Sequence, residues 1–268
     1  MLNAAASFNR ILAMMLRYTY LLRGSWPRIL ELIYWPTVQM ILWGFINQFL
    51  VGQSAWLAQA AGLFIAAVLL WDVLFRAQLG VSLVFFEELY SRNLGHLFVS
   101  PLRPHELVMA LLGISLVRTL IGVGAAALLA IVFYHYSIFD MGLYLLAFFV
   151  NLLVMGWAIG LLVVALVLRY GLGAESLAWV VIFAITPVSG VYYPVSVLPA
   201  WLQPVAQGLP ASHVFEGMRA VLLEQRFPLD LFWYAVGLNI VYLAVGAGVF
   251  LYAFHVARRR GLLLHVGE

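Results

Sequence analysis

Cysteine and lysine are both missing from this 268-residue chain, and charge of any kind is scarce at 9% of residues. Without cysteine there are no disulfides, no thiolate metal sites and no thiol nucleophile, and the redox compartment cannot be read. Without lysine there is no P-loop, because G-x-x-x-x-G-K-S/T uses that ammonium to reach the β and γ phosphates of a nucleotide. If ATP drives this chain, the ATPase is another polypeptide. The charge deficit excludes a soluble globular domain, which carries roughly 25% charged residues. The six histidines are His96, His105, His135, His213, His255 and His265. None sits in the middle of an apolar run, so a bis-histidine haem or a histidine metal cage in the bilayer is not expected. No catalytic residue and no metal site is expected.

What is present is apolar: 65% of residues are hydrophobic and 15% are aromatic. A membrane-spanning helix takes about 20 mostly apolar residues. The chain has room for six, near 29–50, 57–83, 107–134, 141–168, 176–193 and 231–256. The expected fold is all-α and integral to the membrane, a single transmembrane domain over 1–268. Pro36 removes a backbone donor and should kink the first span. The stretch 52–56 reads as a short uncharged turn.

Ahead of the spans, Phe8, Ile11, Leu12, Met15, Tyr18 and Leu22 recur at steps of three and four, with Arg10 and Arg17 off that stripe. Residues 1–28 read as a helix lying in the membrane interface or as a short cytoplasmic helix packed on the rest. Arg10, Arg17, Arg23 and Arg28 break the apolar core that a cleaved signal peptide would need.

The arginines set orientation. The net charge is only +3, so they read as topology markers rather than a nucleic-acid footprint. Arg10, Arg17, Arg23, Arg28, Arg92, Arg103, Arg169, Arg258, Arg259 and Arg260 fall on one side of the six-span plan; only Arg219 and Arg226 fall on the other. The positive-inside rule then makes both termini cytoplasmic.

Between the fifth and sixth spans lie Pro187, Pro194, Pro199, Pro204 and Pro210, half of the 10 prolines. Irregular backbone at membrane depth survives only where it is buried in protein or lines a wet cavity. Residues 187–228 therefore read as a broken or re-entrant outer element, with a plain surface loop as the alternative. No internal repeat is visible.

Three ionisable residues fall inside spans: Asp72, Arg76 and Arg118. Such groups need partners. At about 1.5 Å per residue, Asp72 and Arg118 both lie roughly 16–17 Å from the inner ends of their spans. Asp72 is therefore expected within reach of Arg118, with Arg76 as the competing i,i+4 partner. The pair either holds two helices together or touches cargo. Gly156 with Gly160, and Gly122 with Ala126, are small-x-x-x-small steps that permit close helix contact, a weak dimer signal. Phe45, Trp71, Phe75, Trp157 and Trp179 either line a path or anchor at the interface.

Two segments resemble a known family. The first is EELYSRNLGHLFVSPL at 87–102. The second is PVSGVYYPV at 187–195, followed by LPAWLQP at 198–204, Leu209 and Pro210, His213, and EGMR at 216–219. Together with the six-span plan they resemble ABC-2-type exporter permeases. The resemblance implies a homodimer with two cytoplasmic nucleotide-binding subunits that hold the ATP and magnesium, leaving this chain without a cofactor and not itself an enzyme. It also implies a multi-pass protein of the inner (plasma) membrane. The loop at 84–106 would be a coupling helix seated in the ATPase through Glu87, Glu88, Arg92, Leu94, Leu97, Ser100 and Pro101. The outer gate would comprise Pro187, Gly190, Pro194, Pro199, Trp201, Pro204, Glu216 and Arg219. Cargo in such permeases is a lipid-linked glycan, a lipo-oligosaccharide or a hydrophobic compound. The partners implied are the ABC ATPase, a second copy and membrane lipids, with no nucleic acid. Two other classes stay open. An ion-driven secondary transporter would want several deep acids where only Asp72 is found, and a non-transporting anchor subunit would have no need of either motif.

Overall fold

The structure, a computed structural model, describes residues 4–51 and 55–259, and every regular element among them is helical. The helices are α1 (Ala4–Arg23), α2 (Trp26–Val51), α3 (Ala55–Tyr90), α4 (Leu94–Val99), α5 (Pro104–Tyr134), α6 (Leu143–Tyr170), α7 (Leu177–Ile185), α8 (Gln203–Gln207), α9 (Pro210–Glu224) and α10 (Leu229–Arg259). Short 3-10 turns sit at Ile138–Met141, Leu172–Ala174 and Val195–Val197. Arg260 and His265 lie outside the described residues, as do positions 52–54 of the expected turn. Helix α2 runs through Pro36 without ending there.

Five of these helices, α2, α3, α5, α6 and α10, are long and apolar enough to cross a membrane. The expected fifth crossing, 176–193, is different. Helix α7 has only nine residues, a rise of about 14 Å, well short of a bilayer core. The cause is local. Pro187 has no N–H to continue the ladder, the amides of Val188 and Ser189 both fall back on the Ile185 carbonyl, and Gly190 takes a φ of +66° that reverses the chain.

Helices α3 and α6 form the centre of the bundle; 89% and 72% of their most apolar windows are buried, against a third or less for α2, α5 and α10. Lipid gives apolar side chains no reason to prefer one another, so spans associate by close backbone approach. A Cβ added at Gly156 would stand 2.6 Å from the Ala77 Cβ and 2.7 Å from the Leu74 carbonyl oxygen; one at Gly160 would stand 2.8 Å from the Val81 Cβ. The Gly156/Gly160 step thus makes the close helix contact its spacing permits, on the α3–α6 seam inside the chain. Gly246 seats α10 on the Ala158 backbone in the same way, and Gly80 seats α3 on Ser115 of α5. The Ser115 hydroxyl donates to the Ala77 carbonyl at 2.8 Å and receives the Trp157 indole N–H at 3.2 Å.

Candidate functional site

Three clusters built on charged side chains interrupt this apolar bundle among the described residues. The first is at the α4 end. Helix α3 does not stop near Leu83 as its apolar run suggests; it continues to Tyr90, so Glu87 and Glu88 ride its last turn. The helix then closes by a Schellman turn: the Arg92 N–H bonds the Leu89 carbonyl at 2.9 Å and the Asn93 N–H bonds the Glu88 carbonyl at 3.0 Å. Arg92 occupies the left-handed position with φ 53°, where glycine is usual. Helix α4 follows, and the Ser100 hydroxyl caps it by donating to the Leu97 carbonyl at 2.5 Å.

Helix α1 is clamped onto this end by two arginines. Arg17 forms a two-pronged pair with Glu88, which Asn93 also reaches at 2.7 Å. Arg10 grips Glu106 through Nε at 2.8 Å and Nη2 at 2.5 Å, with the Ser7 hydroxyl donating at 2.6 Å and the Arg103 N–H at 2.9 Å. Burial pulls the Arg17 guanidinium down, but the Glu88 carboxylate outweighs it and leaves Arg17 above its ordinary value. Burial, with Glu88 beside it, pushes the Tyr18 phenol up, so it stays protonated. These contacts place the residues expected in the coupling loop in two groups. Glu88, Leu94 and Leu97 are buried, and Glu87 faces Arg28 and Arg118. Of the residues expected to seat the loop, Arg92, Ser100 and Pro101 face outward, joined there by Ser91, His96 and Val99.

The second cluster lies within the spans. Asp72 accepts from Arg76 Nε at 2.6 Å, the i,i+4 partner. Arg118 instead approaches Glu87 at 3.8 Å. Asp72 thus takes the competing partner Arg76 and not Arg118, because α3 ends seven residues later than its apolar run implies and α5 begins three earlier. Gly80 meets Ser115 and Arg76 meets Gly122 across the α3–α5 seam. That register sets Asp72 about 10 Å beyond Arg118 along the pair. Gly122 has a specific task here, since a Cβ would fall 2.6 Å from Arg76 Nε.

Arg76 and Arg118 both line a cavity of about 180 Å³ bounded by α2, α3, α5 and α7. Trp35, Phe75, Trp179 and Phe183 supply its aromatic wall, with Phe75 6.0 Å from Trp179 and 6.1 Å from Phe183 between ring centres. Phe75 and Trp179 were legible as candidates; Trp35 and the rim residue Glu31 on α2 and Phe183 on α7 were not, because the cavity exists only where those two helices meet α3 and α5. Trp71 is packed among helices and Phe45 faces outward from α2.

The third cluster ties down the segment after α7. Arg219 of α9 donates to the Gly190 carbonyl at 2.8 Å and pairs with Glu216 at 3.1 Å, while Glu216 accepts the Val195 N–H at 2.7 Å. The Tyr193 hydroxyl donates to the Pro187 carbonyl at 2.6 Å, and Tyr192 stacks on Trp43 of α2 at 4.8 Å. Pro194 precedes the Val195–Val197 turn and Pro204 sits in the first turn of α8. Gln203 donates to the Leu198 carbonyl at 2.9 Å. The structure thus brings Gly190, Glu216 and Arg219 into one hydrogen-bonded closure, whereas Pro199 and Trp201 lie on its exposed surface.

No curated protein is similar enough to count as a relative of this chain. A family comparison gives a clear answer. The ABC-2 type transporter family matches residues 13–223, a stretch that holds α2 to α8, all but the last residue of α9, both motif segments and the second and third polar clusters. The chain belongs to the ABC-2 type transporter family.

Proposed function

We propose that this chain is the membrane permease of an ATP-binding-cassette exporter, powered by a separate ATPase. The observation that carries the proposal is the family match over 13–223 joined to a sequence without one lysine for a P-loop. The permease works as a homodimer in the inner membrane with both termini cytoplasmic. Helix α7 and the turns up to Tyr193 make the sixth, broken crossing, and α8 with α9 caps the outer side. Helix α1 lies along the inner interface. Its outward stripe of Phe8, Leu12, Leu16 and Tyr20 is exposed in the isolated chain, a pattern suited to a helix half sunk in headgroups.

The α4 turn is the docking element for the ATPase. Its outward residues Arg92, Val99, Ser100 and Pro101 make the contact. Glu87, Glu88, Leu94 and Leu97 act from behind, fastening that turn to α1 and to the spans. ATP-driven closure of two ATPase subunits pulls on each turn and thereby on α3. Cargo is a lipid-linked glycan, a lipo-oligosaccharide or a hydrophobic compound, taken outward past the aromatic cavity.

Co-expression with ABC ATPase subunits and reconstitution into vesicles tests this. The expected result is co-purification of a two-permease, two-ATPase complex whose hydrolysis rate changes with cargo. Cargo movement by the purified chain alone, without nucleotide or ATPase, would overturn it.

A further inference from the structure

Arg118 is the least satisfied buried charge among the described residues of the spans. It is 8% exposed, and a guanidinium carries five N–H donors. Among the described residues it makes no hydrogen bond and has one ion pair, the 3.8 Å approach to Glu87. That carboxylate is shared with Arg28 at 3.4 Å. Arg76, by contrast, is neutralised by Asp72 at 2.6 Å. Burying a cation with its donors unspent is costly, so the arrangement asks for an acceptor that the chain does not itself supply.

The cavity of about 180 Å³ lies where that acceptor would enter. Arg118 stands on its wall and also on that of a small pocket formed with Tyr18, Arg28 and Glu87. Phe75, Trp179 and Phe183 cover the apolar side. Glu31, the acid on the same wall, is exposed at the rim and makes no ion pair among the described residues.

We propose that the cavity is a headgroup subsite for an anionic amphiphile: Arg118 holds a phosphate or carboxylate, and Phe75, Trp179 and Phe183 receive the apolar body. The site is specific for charge sign, and Glu87 is its internal competitor. An arriving anion replaces Glu87 at Arg118 and leaves that carboxylate to Arg28 alone, three residues from the end of α3. This inference rests on the permease reading for its cargo, but not for its binding chemistry.

The test is ligand binding to the purified full chain in dodecyl maltoside, read by quenching of tryptophan fluorescence. The probes are dodecyl phosphate, laurate and dodecyltrimethylammonium, with the maltoside as the neutral reference. Wild type should bind at least one of the two anions about tenfold more tightly than the cation, the scale of one charge-assisted hydrogen-bonded contact. The stronger of the two identifies phosphate or carboxylate as the natural group. Arg118→Gln should abolish the preference, and Arg118→Lys, which keeps the cation without the fork, should retain part of it. Glu87→Gln should tighten anion binding severalfold, an effect that a merely structural salt bridge does not produce. Equal binding of anions and cation by wild type, an undiminished preference in Arg118→Gln, or weakened anion binding in Glu87→Gln would each overturn the inference. Because no ATPase is present, failure here leaves nucleotide-driven transport untouched, and failed transport leaves this binding result standing.

Discussion

Arg92 holds a left-handed backbone conformation that costs an L-residue about 1 kcal/mol relative to glycine. Its side chain is exposed and makes no ion pair among the described residues, so no contact described there offsets that cost. Arg92→Gly should therefore raise the Tm of the purified protein while lowering ATPase affinity or cargo-stimulated hydrolysis. Unchanged hydrolysis would show that Arg92 does not touch the ATPase. Two glycines make a sharper contrast. Gly156→Leu forces a side chain into the Leu74 and Ala77 backbone seam and should cost about 2 kcal/mol, visible as a lowered Tm. Gly124→Ala meets nothing within 4 Å and should be neutral or slightly stabilising, since alanine favours a helix. Sequence alone cannot separate these glycines, because G-x-x-x-G spacing says that a helix can be approached closely but not by which neighbour. The same limit applies to Arg118. Its buried charge was legible, but its partner depended on helix ends that hydropathy misplaces, as the continuation of α3 through Glu87 and Glu88 to Tyr90 illustrates.

At the scale of elements, α1 is held less by its apolar stripe than by two carboxylates on other helices. Glu88 is 2% exposed while Arg17 remains about a third exposed, so the pair is only partly screened. Arg17→Ala strands a buried carboxylate and should cost about 2 kcal/mol. Hydrogen exchange in α1 should rise while α6 stays protected. Adding Glu88→Gln to that variant should recover part of the loss, a double-mutant cycle that measures the coupling directly. The 3.6-residue period made α1 legible as a helix, yet its mate was invisible because Arg17 and Glu88 are 71 residues apart in sequence. The proline-dense stretch was legible in the opposite sense. Five prolines ruled out a straight helix, and α7 is short for that reason, but the closure by Glu216 and Arg219 needed three dimensions. Arg219→Gln removes the donor to the Gly190 carbonyl and should abolish transport with assembly intact, as read by co-purification of the ATPase alongside cargo movement.

For the whole molecule, the missing cysteines become an experimental asset: each introduced thiol is the only one. Ser91→Cys should be labelled by a membrane-impermeant maleimide only from the cytoplasmic side. Ser196→Cys and Gln225→Cys, both exposed, should label only from outside. Labelling of Ser196→Cys from the cytoplasm would mean that α7 turns back without crossing, leaving five spans. The overall class was legible from composition, since no soluble fold supports so little charge, and crossing number was the part that composition could not fix. Helix α3 carries a mechanical consequence. It holds no proline over its 36 residues, about 54 Å of rise, and it is gripped on both flanks by α5 and α6. Such a rod has no joint in which to absorb a tug. If the proposed ATPase docks at the α4 end, a twist applied at Tyr90 should reach Phe75 and Arg76 almost undiminished, and the aromatic wall should shift in step with the nucleotide cycle.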